Sequence, residues 1–200
     1  MFFAQSTLQM GFITQQVAVA PGTAITIPGA VNLLAADVAT VSAALANIPR
    51  EIASRTMLGT VLNNTTTYTD VSNLTIPINR LGQYAFEYVI RYDSSDVTEG
   101  IGLRLAYTGG SVSGVRYFIE AYTDLATRAN LVSASSFGSA VAPFTAGPGA
   151  TQVMAKITGT CTFDGLPLGD LKCQFRAETG GAQFVEILDG SYANVWQIPS

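Results

Sequence analysis

The chain has no histidine. That removes the commonest metal ligand and the commonest general base at neutral pH. His-ligated zinc hydrolases and Ser-His or Cys-His triads are therefore excluded within this chain. Charge is scarce as well. Ten Lys and Arg with fourteen Asp and Glu make up 12% of 200 residues, about half of the roughly 25% usual in a soluble domain. A net charge of -4 with pI near 4.6 provides no basic field, so neither nucleic acid nor an anionic membrane is expected as a partner. No apolar run reaches the length of a membrane span. The opening Met1-Phe2-Phe3-Ala4-Gln5 has no basic n-region, which points to cytosolic synthesis without export.

What is present is apolar. Hydrophobic residues reach 48% and mean hydropathy is +0.32. A chain this long can bury a core alone, yet it has few charges to cover its outside. Partner subunits covering part of the surface would resolve that conflict. Composition thus favours a structural or binding protein over an enzyme.

Along the chain, residues 1–30 carry no charge and read as an extended arm, with β-rich runs at 11–19 and 24–27 punctuated by Pro21-Gly22 and Pro28-Gly29. Such a segment can add strands to a neighbour; an ordinary first hairpin is the alternative. Residues 31–58 change period and read as a short heptad helix and connector. Val31, Leu34, Val38, Val41, Leu45, Ile48 and Ile52 alternate spacings of three and four, an a/d seam. Pro49 stops the helix near Ile48. The seam, about 25 Å long, is too short to stand alone. We expect Val31, Leu34, Val38, Val41, Leu45 and Ile48 to form a subunit interface; the alternative is an amphipathic helix packed on its own sheet.

From 59 to 200 the pattern is strand and turn. Roughly eight strands are expected, including 83–92, 100–107, 115–122, 152–163, 170–177, 184–188 and 192–197, with 130–150 irregular. This predicts a mainly β fold, an antiparallel β-sandwich of jelly-roll type. The six-residue turn Asp164–Gly169 reads as a hairpin that sets Cys161 opposite Cys173 on the inward face, as two buried thiols acting as small hydrophobes; a cross-strand disulfide, which needs an oxidising compartment, is the alternative.

Features that could carry chemistry do not assemble into a site. Asp93, Asp96 and Glu99 share a loop, but their spacing is not that of an EF-hand and the flanking Ser and Gly read as turn chemistry. Asp164 and Asp170 flank a turn. Gly180-Gly181 precedes no helix that could bind phosphate. Asn64-Thr65-Thr66 and Asn73-Leu74-Thr75 fit sequons that only export would make relevant. Tyr84, Tyr88, Tyr92, Tyr107, Tyr117 and Tyr122 could line a sugar-binding surface or fill strand cores and subunit contacts. No catalytic residue, cofactor or metal ligand is expected.

The run Tyr68-Thr69-Asp70-Val71-Ser72-Asn73-Leu74-Thr75-Ile76-Pro77-Ile78, followed by Gly82-Gln83-Tyr84-Ala85-Phe86-Glu87, resembles structural proteins of tailed bacteriophages. So do Ile157-Thr158-Gly159-Thr160, Gln174-Phe175-Arg176-Ala177-Glu178-Thr179 and the closing Asp189-Gly190-Ser191-Tyr192. The resemblance covers residues 59–200 as a pattern of turns and strands. It implies a trimeric jelly roll in the virion, most simply a head decoration or cement protein, with a tail or fibre protein as the runner-up. The implied partners are other copies of the chain as a homotrimer, and the major capsid protein or other virion proteins. A host surface glycan is the partner of the rival reading. None of these roles requires catalysis.

Overall fold

The computed structural model describes residues 38–42, 50–122, 128–139, 144 and 147–199. The chain divides into two units, 1–43 and 44–200. In the first, residues 38–42 are helical, within the heptad stretch. The arm over 1–30, together with Val31, Leu34, Leu45 and Ile48, lies outside the described residues.

The second unit is an antiparallel β-sandwich. Its strands are β1 (Arg50–Thr56), β2 (Val61–Asn63), β3 (Thr69–Asp70), β4 (Ile76–Pro77), β5 (Gly82–Ser94), β6 (Ile101–Tyr107), β7 (Val112–Tyr122), β8 (Arg128–Ala134), β9 (Val153–Phe163), β10 (Asp170–Ala177), β11 (Val185–Ile187) and β12 (Tyr192–Ile198). The large sheet runs β1-β12-β5-β9-β7-β8, with β11 joining β5 to β2. In the small sheet β10 is central, flanked by β6 on one edge and by β3 and β4 in succession on the other.

Period-2 alternation explains the long strands. On β5, Tyr84, Phe86, Tyr88, Ile90 and Tyr92 are buried while the residues between them are only partly so. Every second residue of β10, from Leu171 to Ala177, is buried likewise. The two inward faces meet in one core.

The strand assignments from 83 onward hold within a residue or three, with two additions. β8 occupies part of the stretch expected to be irregular, because its small, mixed side chains obscure the alternation that pairing with β7 imposes. β1 begins the sandwich nine residues before Gly59, inside the expected connector. The residues directly after Pro49 pair with β12 and do not form a connector turn. The register shifts between Glu51 and Ala53, so Ile52 belongs to a bulged strand and not to the seam.

The turn at 164–169 is not the expected hairpin, because β9 lies in the large sheet between β5 and β7 while β10 lies in the small one. Cys161 pairs across to Tyr84, and Cys173 to Leu105. Six residues suffice to cross the roughly 10 Å between packed sheets. The β6–β7 connection crosses beside it, and the two are joined by Gly110 N donating to Pro167 O (2.6 Å), Gly165 N to Ser111 O (3.1 Å) and Thr108 N to Asp170 O (3.1 Å). Those bonds close one end of the sandwich.

Gly159 interrupts the inward face of β9 opposite Phe86 and Tyr117. A Cβ there would stand 2.4 Å from Arg116 O, 2.5 Å from Tyr117 Cβ and 2.8 Å from Phe86 Cζ. Gly159→Ala should therefore lower the unfolding free energy by about 2 kcal/mol through overpacking. Urea unfolding checks this: the midpoint should fall with the slope unchanged, and an unchanged midpoint would show that the rings do not define this gap.

Candidate contact surfaces

The loop acids are placed apart. Asp96 Oδ1 accepts from Thr98 N (2.8 Å) and Thr98 Oγ1 (2.7 Å), and these bonds, the hydroxyl's first, hold its carboxyl below the usual range. Glu99 turns inward and is fully buried. It accepts from Glu178 N (2.5 Å), Thr179 N (3.0 Å) and the Thr179 hydroxyl, pinning the end of β10. Asp93 faces outward directly opposite Glu186; burial, then that neighbouring carboxylate, raises its pKa. The three carboxylates do three different things and do not converge on one point. Among the described residues no three His, Cys, Asp or Glu are grouped to hold a metal ion. Asp164 caps a turn by accepting from Ser111 Oγ (2.8 Å).

The six tyrosines do not form an outer surface. Tyr84, Tyr88, Tyr92 and Tyr117 are buried, and Tyr107 and Tyr122 pack against the same core. The aromatic platform that a glycan reading needs is therefore not supplied by these residues.

Of the heptad residues, the structure describes Val38 and Val41. They sit one turn apart on the helix and are 61% and 49% exposed, within the unit of residues 1–43.

On the sandwich, alternation turns other apolar side chains outward. Phe118 lies between buried Tyr117 and Ile119, and Met154 between buried Val153 and Ala155. Leu131 is opposite Glu120, next to the inward Val132. All three are about half exposed, at 50%, 54% and 49%, on the outer face of the large sheet. Lys156, in the row between Met154 and Phe118, pairs with Glu87 at 2.6 Å. The signal for this surface was present in the strand periodicity, since a residue between two buried ones on a strand points outward.

The outer face of the small sheet is different. The Arg104 guanidinium stacks 4.1 Å from the Tyr68 ring centroid, with Arg176 at 5.3 Å. Arg104 also donates to Gln174 Oε1 (2.7 Å) and Gly138 O (3.1 Å). Asp70 accepts from Gln174 Nε2 (2.5 Å) and Lys172 Nζ (2.9 Å), and these bonds depress its pKa in that order. This face is engaged with itself.

The fold defines the class: an antiparallel β-sandwich. No protein-family model matches the chain, and no curated protein matches it. Among solved structures it is similar to a chain in the structure of infectious bursal disease virus Gt strain, at 12% identity and a TM-score of 0.23. The match covers 76% of this chain and 42% of that one, less than half of the neighbour's length. A likeness of that size carries no functional argument.

The remaining reactive groups are Cys161 and Cys173, both buried and free of a disulfide. Burial pushes each thiol up to about 12, so neither is nucleophilic at neutral pH. Iodoacetamide at neutral pH should leave the native chain unmodified and alkylate both thiols after denaturation, as read by intact mass. Labelling of the native chain would mean that the core opens at one of these positions.

Proposed function

We propose that the chain is a non-enzymatic virion structural protein, a jelly-roll decoration or cement protein. In this reading it is made in the host cytoplasm, forms a homotrimer and sits on a phage head against the major capsid protein. A tail or fibre position is the variant that shares every argument below except location.

The observation that carries the proposal is the half-exposed trio Phe118, Leu131 and Met154 on one sheet face of a chain with 12% charged residues. Half-exposed apolar side chains on an outer face, here set among Glu120, Lys156 and Arg91, offer area that a partner can cover. The resemblance over residues 59–200 supplies the virion context. Val38 and Val41 give the helix an apolar stripe for other copies of itself. The glycan-binding rival loses its support where the tyrosines are buried.

The wild-type chain should sediment as a trimer at micromolar concentration. Val38→Asp should shift it toward monomer with the β-sheet circular dichroism unchanged, because it puts an unpaired charge among apolar neighbours. A wild-type monomer would reject the trimer. Separately, Phe118→Asp should fold and assemble but decorate capsids poorly, as counted by electron microscopy of particles. Full occupancy by that variant would reject the large-sheet face as the shell contact.

A further inference from the structure

The chain contains two Asp-Gly pairs, Asp164-Gly165 and Asp189-Gly190, both at turns with an exposed aspartate. Asp-Gly is the sequence most open to imide formation, because glycine offers no side chain to shield its nitrogen. The two sites differ in what holds their atoms.

At the β11–β12 turn, Gly190 N is 2.9 Å from Oδ1 of Asp189 itself. The nitrogen that would attack is thus already against the carboxyl group it would attack, although it also donates to Met57 O at 3.2 Å. The glycine is needed: its φ is +80°, and a Cβ would stand 2.9 Å from Arg91 Nη1. Arg91 Nη1 donates to the main-chain oxygen of Asp189 at 2.8 Å, fixing the turn and polarising that carbonyl.

At the sheet-crossing turn the carboxyl group is held elsewhere. Asp164 Oδ1 accepts from Ser111 Oγ (2.8 Å), and Gly165 N donates to Ser111 O (3.1 Å). The Ser113 and Ser111 hydroxyls also keep the Asp164 carboxyl below the usual range. Its carboxylate is thus tied to Ser111, and the nitrogen that would attack is tied to the same residue.

We infer that Asp189 is a site of spontaneous isomerisation to isoaspartate in the folded protein, whereas Asp164 is protected. In the first step Gly190 N bonds to Asp189 Cγ. The C–OH bond of the protonated carboxyl breaks, and that hydroxyl leaves as water with the amide proton. The product is a five-membered succinimide. Water then adds to one of its two carbonyls. Attack at Cγ restores aspartate. Attack at the main-chain carbonyl breaks the original peptide bond and leaves the chain running through Cβ and Cγ. Arg91, on that carbonyl oxygen, favours the second route. The sum is an isomerisation with no change of mass and no oxidant or reductant.

The outcome matters locally. The lengthened turn is followed directly by Ser191, fully buried, whose Oγ accepts from Arg91 N (2.9 Å) and donates to Leu188 O (2.8 Å). A protein of an assembled particle is not replaced by new synthesis, so such a change would accumulate with the particle's age. The chemistry depends on the turn alone and stands apart from the proposed role.

The test ages the full chain in neutral buffer, folded and in urea, and maps isoaspartate in digests with isoaspartyl methyltransferase. Hydroxylamine trapping detects the succinimide, which has lost the mass of one water. In urea the two Asp-Gly sites should label alike. In the folded chain the ratio of Asp189 to Asp164 labelling should rise by about tenfold or more, the fold having placed nitrogen and carboxyl together at one site only. Asp189→Glu should remove the label from that turn and leave Asp164 as it was. A folded-state ratio near that in urea, a preference for Asp164, or a label persisting at the turn of Asp189→Glu would each overturn the assignment.

Discussion

The structure depends on covering one row of rings. β5 places Tyr84, Phe86, Tyr88 and Tyr92 on a single face, and each of these is almost wholly buried. Rings that large carry the bulk of the apolar area in the core, but three of them also carry hydroxyls that must bond before burial is favourable. Tyr84 donates to Arg80 O (3.0 Å), Tyr88 to Leu171 O (3.4 Å) and Tyr92 to Tyr122 O (2.5 Å). These partners are main-chain oxygens on three different segments, and the Tyr88 bond reaches from the large sheet to β10 of the small one. Gly159 follows from the same demand, since only a missing side chain leaves room beside Phe86. Phe137, from the turn after β8, completes the cover by stacking near Tyr117 and Phe163 with centroids 6.1 and 6.3 Å away.

The small sheet is too narrow to cover eight strands, and loops complete the layer. Val71, Leu74 and Ile78 are buried although none lies in a strand. Loops that enter a core must satisfy their polar groups there. Asn63, the last residue of β2, anchors the loop that follows it by donating from Nδ2 to Thr67 O, Thr69 Oγ1 and Phe175 O, joining β2 to β10. Ser94 accepts from Gly149 N (3.1 Å) and donates to Asp96 O (2.9 Å). Glu99 does the same for the end of β10. The acidic loop that superficially suggests a cation site is thus part of the layer that closes the core.

How much of this was legible in the sequence depends on which force left a mark. Alternation marks inward faces, so β5, β6, β9, β10 and β12 could be read directly. It does not say which sheet a strand joins. Cys161 and Cys173 face inward whether β9 and β10 pair or face each other across the core, and the choice is made by which edges β5, β7 and β6 occupy. β1 and β8 escaped because each is an edge strand held by backbone pairing to one neighbour, with mixed side chains that do not announce it. The Tyr68–Arg104–Arg176 stack was invisible for another reason: its members are far apart in the chain and no period links them. The outward Phe118 and Met154 were legible in principle, since a residue between two buried ones on a strand must point away.

The two outer faces use their charges differently, and the difference bears on the proposed role. The outer face of the small sheet uses Arg104, Arg176, Lys172 and Asp70 on contacts with Tyr68, Gln174 and each other. Docking there would have to break that network and desolvate its charges, a cost that new contacts seldom recover. The large sheet presents Thr158, Thr160 and Thr162 along β9, with Phe118 and Met154 nearby, among charged side chains that include the Lys156–Glu87 pair, Arg91, Arg116 and Glu120. Threonine and half-exposed apolar side chains lose little solvation on burial. For a protein proposed to work on a shell, the large-sheet face is the one that offers half-exposed apolar area.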